Sequence, residues 1–215
     1  MTTNTLLKRF EDSLYLNTLI KDKVFINILG YGELSVVFEI LNDVNNNAYK
    51  RLSIFEDENQ VIRHIQAFKV YYKILTEEIG IKIPPYKIIW FKDKSERIKF
   101  FYIQPKLPAI SIGNKAIHNL DNRSILNLVL LILKEMRKVW IYNYSHKNIK
   151  VGFDAQVSNF AIEDFNKNNP KIDLHSNLIF IDTIPPFFRI NGKEAMDLET
   201  FIKNGPYILK MDIKY

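Results

Sequence analysis

Apolar and aromatic side chains recur at Val61, Ile65, Phe68, Tyr72, Leu75 and Ile79, a 4-3-4-3-4 spacing that lays one stripe along a helix. Asp57 stands where an N-cap is needed, with Gln60 three residues on, and Gly80 stops the run. Before this helix the pattern is that of strands. Residues 23–29 and 35–41 flank Gly30-Tyr31-Gly32, and the polar turn 43–47 leads into a third strand, 48–54. After Pro84-Pro85, residues 87–91 and 98–103 bracket the polar turn 93–96 as a hairpin. Leu6, Leu7, Phe10, Leu14, Leu16 and Leu19 give the first twenty residues the look of a short packed helix. The first half thus reads strand, strand, strand, helix, strand, strand, an antiparallel meander with one long helix.

Residues 105–122 hold Pro105 and Pro108 and read as a connector between two lobes. A helix over 123–142 follows, apolar nearly all round from 125 to 133 and therefore expected to be buried. A loop, 143–159, leads to short strands at 160–163 and 178–182, joined through the Asn- and Lys-rich turn 166–169, and a final helix spans 196–204. The expected class is α+β: a sheet lobe over 1–104, a hinge over 105–122, and a reduced, mostly helical lobe over 123–215.

Composition narrows the function. Of 215 residues, 47% are apolar, with 15 Phe and 11 Tyr, enough for a packed interior. The absence of Cys excludes disulfides and thiolate metal sites and favours the cytoplasm. Residues 1–10 lack the apolar core of a signal peptide, and the longest apolar run, 128–133, is too short to span a bilayer, so no membrane partner is expected. The net charge of +6 is spread along the chain, with small clusters at Lys21–Lys23 and Lys92–Lys94. That scatter disfavours a nucleic-acid groove and suits a polyanion such as ATP.

Four groups of residues carry candidate chemistry. Gly30 and Gly32 lie between two strands, followed by Ser35 and Val37. A glycine loop in that context differs from the strand-to-helix phosphate loops of dinucleotide and P-loop folds, yet it lets backbone N–H groups approach phosphates. Ala48 and Lys50 alternate onto one face of the third strand, where Val37 and Ala48 could hold a planar base and Lys50 could reach phosphates. Glu58, in the first turn of the long helix, is the candidate partner for that lysine, ahead of Glu56 and Gln66. Asp154 and Asn159 are separated by four residues after the apolar helix, and Asp182 ends an apolar strand. A carboxylate that orients a hydroxyl, beside an amide oxygen and a second carboxylate, suits a hard cation and a proton acceptor. His146 and His118 form no metal cluster; His146 could assist proton transfer but reads rather as a surface residue, and Arg189 and Glu194 could close the site or equally pair with each other in a loop.

The order of these groups resembles the protein-kinase-like superfamily, including the small-molecule kinases of the aminoglycoside and choline type, from about residue 24 to 185. More narrowly, Gly152-Phe153-Asp154-Ala155-Gln156-Val157-Ser158-Asn159-Phe160, with Asp182-Thr183 and Pro185, resembles a microbial subgroup of small kinase-like proteins. The resemblance implies a two-lobed fold that uses ATP and Mg2+. Lys50 and Asp154 would be the catalytic pair. Gly30, Gly32, Ser35, Val37, Ala48, Glu58, Gln104 and Lys106 would join Lys50 in the nucleotide set, and Asn159 and Asp182 would hold the metal. The acceptor would be a hydroxyl of a protein or a small molecule. Three positions depart from the pattern. Gly152 replaces the His or Tyr two residues before the acid, Gln156 replaces a common Lys, and Thr183 follows Asp182 where Phe-Gly is usual. The alternative they imply is a pseudokinase, a nucleotide-binding or interaction module without catalysis.

Overall fold

Residues 26–105 build a five-stranded antiparallel sheet in the order β1-β2-β3-β5-β4. The strands are β1 (Ile26–Tyr31), β2 (Ser35–Ile40), β3 (Asn47–Leu52), β4 (Lys87–Lys92) and β5 (Ile98–Pro105), and an N-terminal helix, α1 (Thr3–Leu14), precedes them. The chain is mixed α+β, as expected. This computed structural model describes residues 2–14, 24–32, 34–184 and 186–204. Leu16, Leu19, the Lys21–Lys23 cluster, Glu33 and Pro185 therefore lie outside the described residues.

The described chain divides into two compact units, one of residues 2–61, 85–106 and 199–204, the other of 62–84 and 107–198. In the first, strand alternation sends Phe38, Ile40, Tyr49, Phe101 and Ile103 to one face, where Leu7 and Phe10 of α1 cover them. Phe38 stands 4.6 Å from Phe10 and 5.6 Å from Tyr49, centroid to centroid. Glu11 is buried at the edge of this contact. It accepts from Arg51 Nε at 2.5 Å and Nη2 at 3.0 Å and lies 3.6 Å from Lys99 Nζ. The 43–47 turn closes on Asp43, whose carboxylate accepts from the N–H groups of Asn45 and Asn47 and from Tyr49 Oη at 2.7 Å.

Helix α2 (Glu58–Lys73) starts where the capping residues require. Asp57 accepts from the Gln60 N–H at 2.8 Å, and Gln60 Oε1 accepts from the Glu56 N–H at 2.7 Å. The buried stripe is wider than its 4-3-4-3-4 core, adding His64, Ala67, Tyr71 and Ile74. Over Ile74–Ile79 the helix relaxes into a π turn, and Gly80, at φ 76°, ends it through its N–H to the Leu75 carbonyl. Because Ala67, Tyr71, Ile74 and Leu75 pack into the second unit's core, residues 62–84 group with that unit rather than with the sheet. Residues 199–204 group with the first unit, where Lys203 Nζ lies 2.6 Å from Glu56.

The second unit is organised by α4 (Asn122–Ser145), capped by Asp121 through the Ser124 N–H at 2.7 Å. Leu128, Leu131, Ile132, Val139 and Tyr142 face the core. The expectation that residues 125–133 are buried all round fails. Leu126, Val129, Leu130 and Leu133 are exposed, because one face of the helix suffices for the core and no described element covers the other. The connector is not structureless: it contains a 3-10 turn, Ala109–Ser111, the short helix α3 (Gly113–Ala116) and a second 3-10 turn, Ile117–Asn119. The 143–159 loop also hides a strand, β6 (Ile149–Val151). It pairs with β9 (Phe188–Ile190), which pairs in turn with β10 (Lys193–Glu194). This unit remains mostly helical, with these short strands added. The hairpin of β7 (Phe160–Ile162) and β8 (Leu178–Phe180) forms where apolar strands were read, and α5 (Leu198–Asn204) closes the described chain two residues later than expected.

Candidate functional site

Three aromatic rings fix the acid-bearing segments of the second unit. Phe153, Phe160 and Phe180 meet at centroid distances of 4.5 Å (153–180), 5.4 Å (160–180) and 5.9 Å (153–160). Each ring adjoins a candidate residue in sequence: Phe153 precedes Asp154, Phe160 follows Asn159, and Phe180 lies two before Asp182. The hairpin register extends the effect. Phe160 pairs with Phe180, and the Ile181 N–H donates to the Asn159 carbonyl at 2.9 Å, so Asp182 leaves the sheet beside Asn159.

The Asn159 side chain is buried and oriented. Its Nδ2 donates to the Asp154 carbonyl at 3.1 Å. A carbonyl only accepts, so the nitrogen must be that end of the amide, and Oδ1 is left for another donor or a cation. Asp154 Oδ1 accepts from the Gln156 N–H, and Asp182 Oδ1 accepts from the Ile184 N–H, each at 3.3 Å. Both carboxylates thus sit in Asx-type turns.

A residue not anticipated from the sequence joins them. Tyr71 of α2 is buried, stacks on Phe188 at 6.2 Å, and donates its hydroxyl to the Gly152 carbonyl at 2.9 Å. Its pKa lies well above the ordinary tyrosine range, through burial first and then the charges of Asp182 and Asp154. Position 71 falls beside the apolar stripe rather than on it, so only the rule that a buried tyrosine needs an acceptor could have flagged it.

Gly152 is required by a close approach. Its N–H donates to the Phe187 carbonyl at 2.7 Å, and a Cβ there would lie 2.8 Å from Phe187 Cβ. Among the described residues no group of three His, Asp or Glu side chains is arranged to hold a metal ion. The expected donors are instead the Asp182 carboxylate and the Asn159 amide oxygen. Both are hard ligands of the kind Mg2+ accepts, an ion usually held by one or two carboxylates with the rest supplied by substrate and water.

The remaining candidates belong to the first unit. Register sets Val37 opposite Lys50 and Lys50 opposite Tyr102, with Ala48 opposite Gln104, so Val37, Ala48, Lys50 and Gln104 share the sheet face turned away from α1. Gly32 donates to the Ser35 carbonyl at 2.9 Å in the β1–β2 turn. Neither Gly30 nor Gly32 has a positive φ, and a Cβ at Gly30 would meet nothing within 4 Å. Glu58 lies 2.8 Å from Lys92 Nζ, and Lys106 Nζ lies 2.5 Å from Glu39, whose carboxyl that contact holds below its usual range. Arg189 pairs with Glu194 across the β9–β10 turn, one of the two arrangements the sequence allows. His146 stacks on Tyr142 at 4.0 Å on the surface.

A family profile described as "Family of unknown function (DUF6206)" matches residues 16–211. The chain belongs to that family. The DUF6206 match takes in each candidate residue above, from Gly30 to Asp182. No curated protein matches the chain. Among solved structures, the chain is weakly similar to "WaaP in complex with acyl carrier protein". The two are 11% identical with a TM-score of 0.39, over 88% of this chain and 73% of the other. No helix among the described residues is long and apolar enough to cross a membrane.

Proposed function

We propose that the chain is an atypical kinase-like phosphotransferase that binds ATP and Mg2+ and transfers phosphate to a hydroxyl of a protein or small molecule. The observation that carries this reading is the end of the β7–β8 hairpin. There Asp154, Asn159 and Asp182 arise from three segments tied by ring packing and backbone pairing. Asn159 Oδ1 and the Asp182 carboxylate would hold magnesium, which when bound neutralises phosphate charge. Asp154 would accept the proton of the attacking hydroxyl. Lys50, with Val37, Ala48 and Gln104 on one sheet face, would bind nucleotide. Gly30 supports this, since its backbone conformation and the space around it do not call for glycine, whereas a phosphate approaching the backbone would. Gly32, Ser35, Glu58 and Lys106 remain in the proposed nucleotide set, with Glu58 paired to Lys92 and Lys106 to Glu39 in this structure.

A second reading, a pseudokinase that binds Mg–ATP without transfer, is favoured by Gln156 and by Thr183, which is buried directly after Asp182. Two measurements separate the readings. Mg–ATP should raise the melting temperature of the wild type but not of Asn159→Ala or Asp182→Ala. Labelled γ-phosphate should then be transferred by the wild type and not by Asp154→Ala. A shift without transfer leaves the pseudokinase; no shift in any nucleotide–metal combination removes both.

A further inference from the structure

The outer face of α4 carries a row of large side chains that nothing in the described chain covers. Leu126, Val129, Leu130, Leu133, Trp140, Ile141 and Tyr144 are all exposed, Leu126 by 58%, Trp140 by 60% and Tyr144 by 93%. At about 100° per residue they fall within an arc of about 120°, and from Leu126 to Tyr144 the row runs about 27 Å. Together they expose the equivalent of about four whole side chains, on the order of 700 Å2. That exceeds the roughly 300–600 Å2 of the largest patch on an ordinary monomer and approaches the ~800 Å2 one partner gives to a specific interface.

Charge selects the occupant. Arg137 lies in the middle of the row, and Arg123 and Lys134 lie along its edge. Lys134 and Arg137 have no hydrogen bond or ion pair among the described residues. The single acid of the helix, Glu135, is on the inner side, 2.7 Å from Lys138 Nζ. The exposed face is therefore apolar, aromatic and basic, with no carboxylate. A second copy docked face to face would bring Arg137 and Lys134 against a surface with no acid to meet them, an unfavourable arrangement in a desolvated seam. A lipid surface would require Arg137 to enter with the apolar row around it. An amphipathic helix bearing carboxylates beside its apolar stripe covers the row and neutralises Arg137 at once. Leu126, Leu133 and Trp140 recur every seven residues, the spacing at which one helix meets another.

We propose that this face of α4 docks an acidic amphipathic helix of a partner protein. The test is titration calorimetry on the whole chain, with Trp140 emission as a second readout. The probes are a synthetic 21-residue helix with Leu at its a and d positions and Glu beside them, and a matched peptide with Lys for Glu. The acidic peptide should bind one to one, at least tenfold tighter than the basic one, with a blue shift of the emission and weakening as salt rises. Leu133→Glu should abolish binding, and Arg137→Glu should reverse the preference between the peptides. Both positions are exposed, so circular dichroism and melting should stay as in the wild type. Equal binding of the two peptides, or binding of neither, overturns the proposal. So does a blue shift obtained only with phosphatidylglycerol vesicles, which would assign the face to lipid. A dimer in sedimentation that Leu133→Glu dissociates would assign it to a second copy and overturn the proposal equally.

Discussion

Replacing Tyr71 by Phe isolates one hydrogen bond that links α2 to the segment before Asp154. The ring stays, so its stacking on Phe188 at 6.2 Å and its place in the core are kept. What is lost is the hydroxyl that donates to the Gly152 carbonyl at 2.9 Å. A buried acceptor left without its donor costs about 1–3 kcal/mol. The lower half of that range is expected, because the lost partner is a neutral hydroxyl rather than a charged group. About 1.5 kcal/mol corresponds to a fall of roughly 3–6 °C in Tm for a chain of this size. The sign with pH is also fixed. The folded-state pKa of Tyr71 is raised, so its contribution is complete below the unfolded value of 10 and is lost as pH rises further. The difference between wild type and Tyr71→Phe should be flat from pH 6 to 9 and shrink above pH 10. Urea unfolding followed by far-UV circular dichroism, with equal m values, measures it. Tyr71→Ala removes the ring as well and should cost about 3–5 kcal/mol. A loss below about 0.5 kcal/mol in Tyr71→Phe, or one equal to that of Tyr71→Ala, would refute the claim that the hydroxyl anchors Gly152.

Burial pushes the His64 imidazole down from 6.5 to about 4, so the unfolded chain binds a proton that the folded one does not. Stability should therefore fall by up to about 3 kcal/mol as pH drops from 6.5 to 4, and His64→Leu should flatten that slope in urea unfolding across the window. Gly152→Ala places a methyl 2.8 Å from Phe187 Cβ and should cost about 1–3 kcal/mol by the same assay; an unchanged midpoint would contradict the close approach. Arg51→Ala leaves the buried Glu11 carboxylate with Lys99 at 3.6 Å and without its two-pronged partner, so a loss of roughly 3 kcal/mol is expected, largely insensitive to added salt.

The sheet was legible because its signals are local. Asp43 and Asp93 announce hairpin turns, and Asp57 with Gln60 announces a helix start, through hydrogen bonds to neighbours a few residues away. What escaped depends on distant partners. β6 has only three residues, and its pairing is with β9, which the local pattern around residue 149 does not contain. The middle of α4 was misread because an apolar residue is the same letter whether it faces a core or an unfilled surface; only the positions of the other elements separate Leu128 from Leu126. The same limit applies to the site. Asp154, Asn159 and Asp182 could be picked out by spacing, but Tyr71 enters from a helix more than eighty residues earlier and shows itself only through its contact with Gly152.

That contact changes the weight of the departures from the kinase pattern. A His or Tyr at position 152 does not fit here without a shift, because even a Cβ would lie 2.8 Å from Phe187 Cβ. The fold instead ties the same segment from outside, through the Tyr71 hydroxyl on the Gly152 carbonyl, two residues before Asp154. Gly152 is thus a consequence of packing, and an alternative anchor accompanies it, so it does not by itself disfavour catalysis. Thr183 is buried directly after Asp182, so packing bears on its identity as well. Gln156 is different. Its N–H caps Asp154, a role any residue but proline can fill, and nothing in the packing calls for glutamine over lysine. The case for a chain that binds nucleotide without transferring phosphate therefore rests mainly on the charge missing at position 156, on the same turn that holds the proposed base.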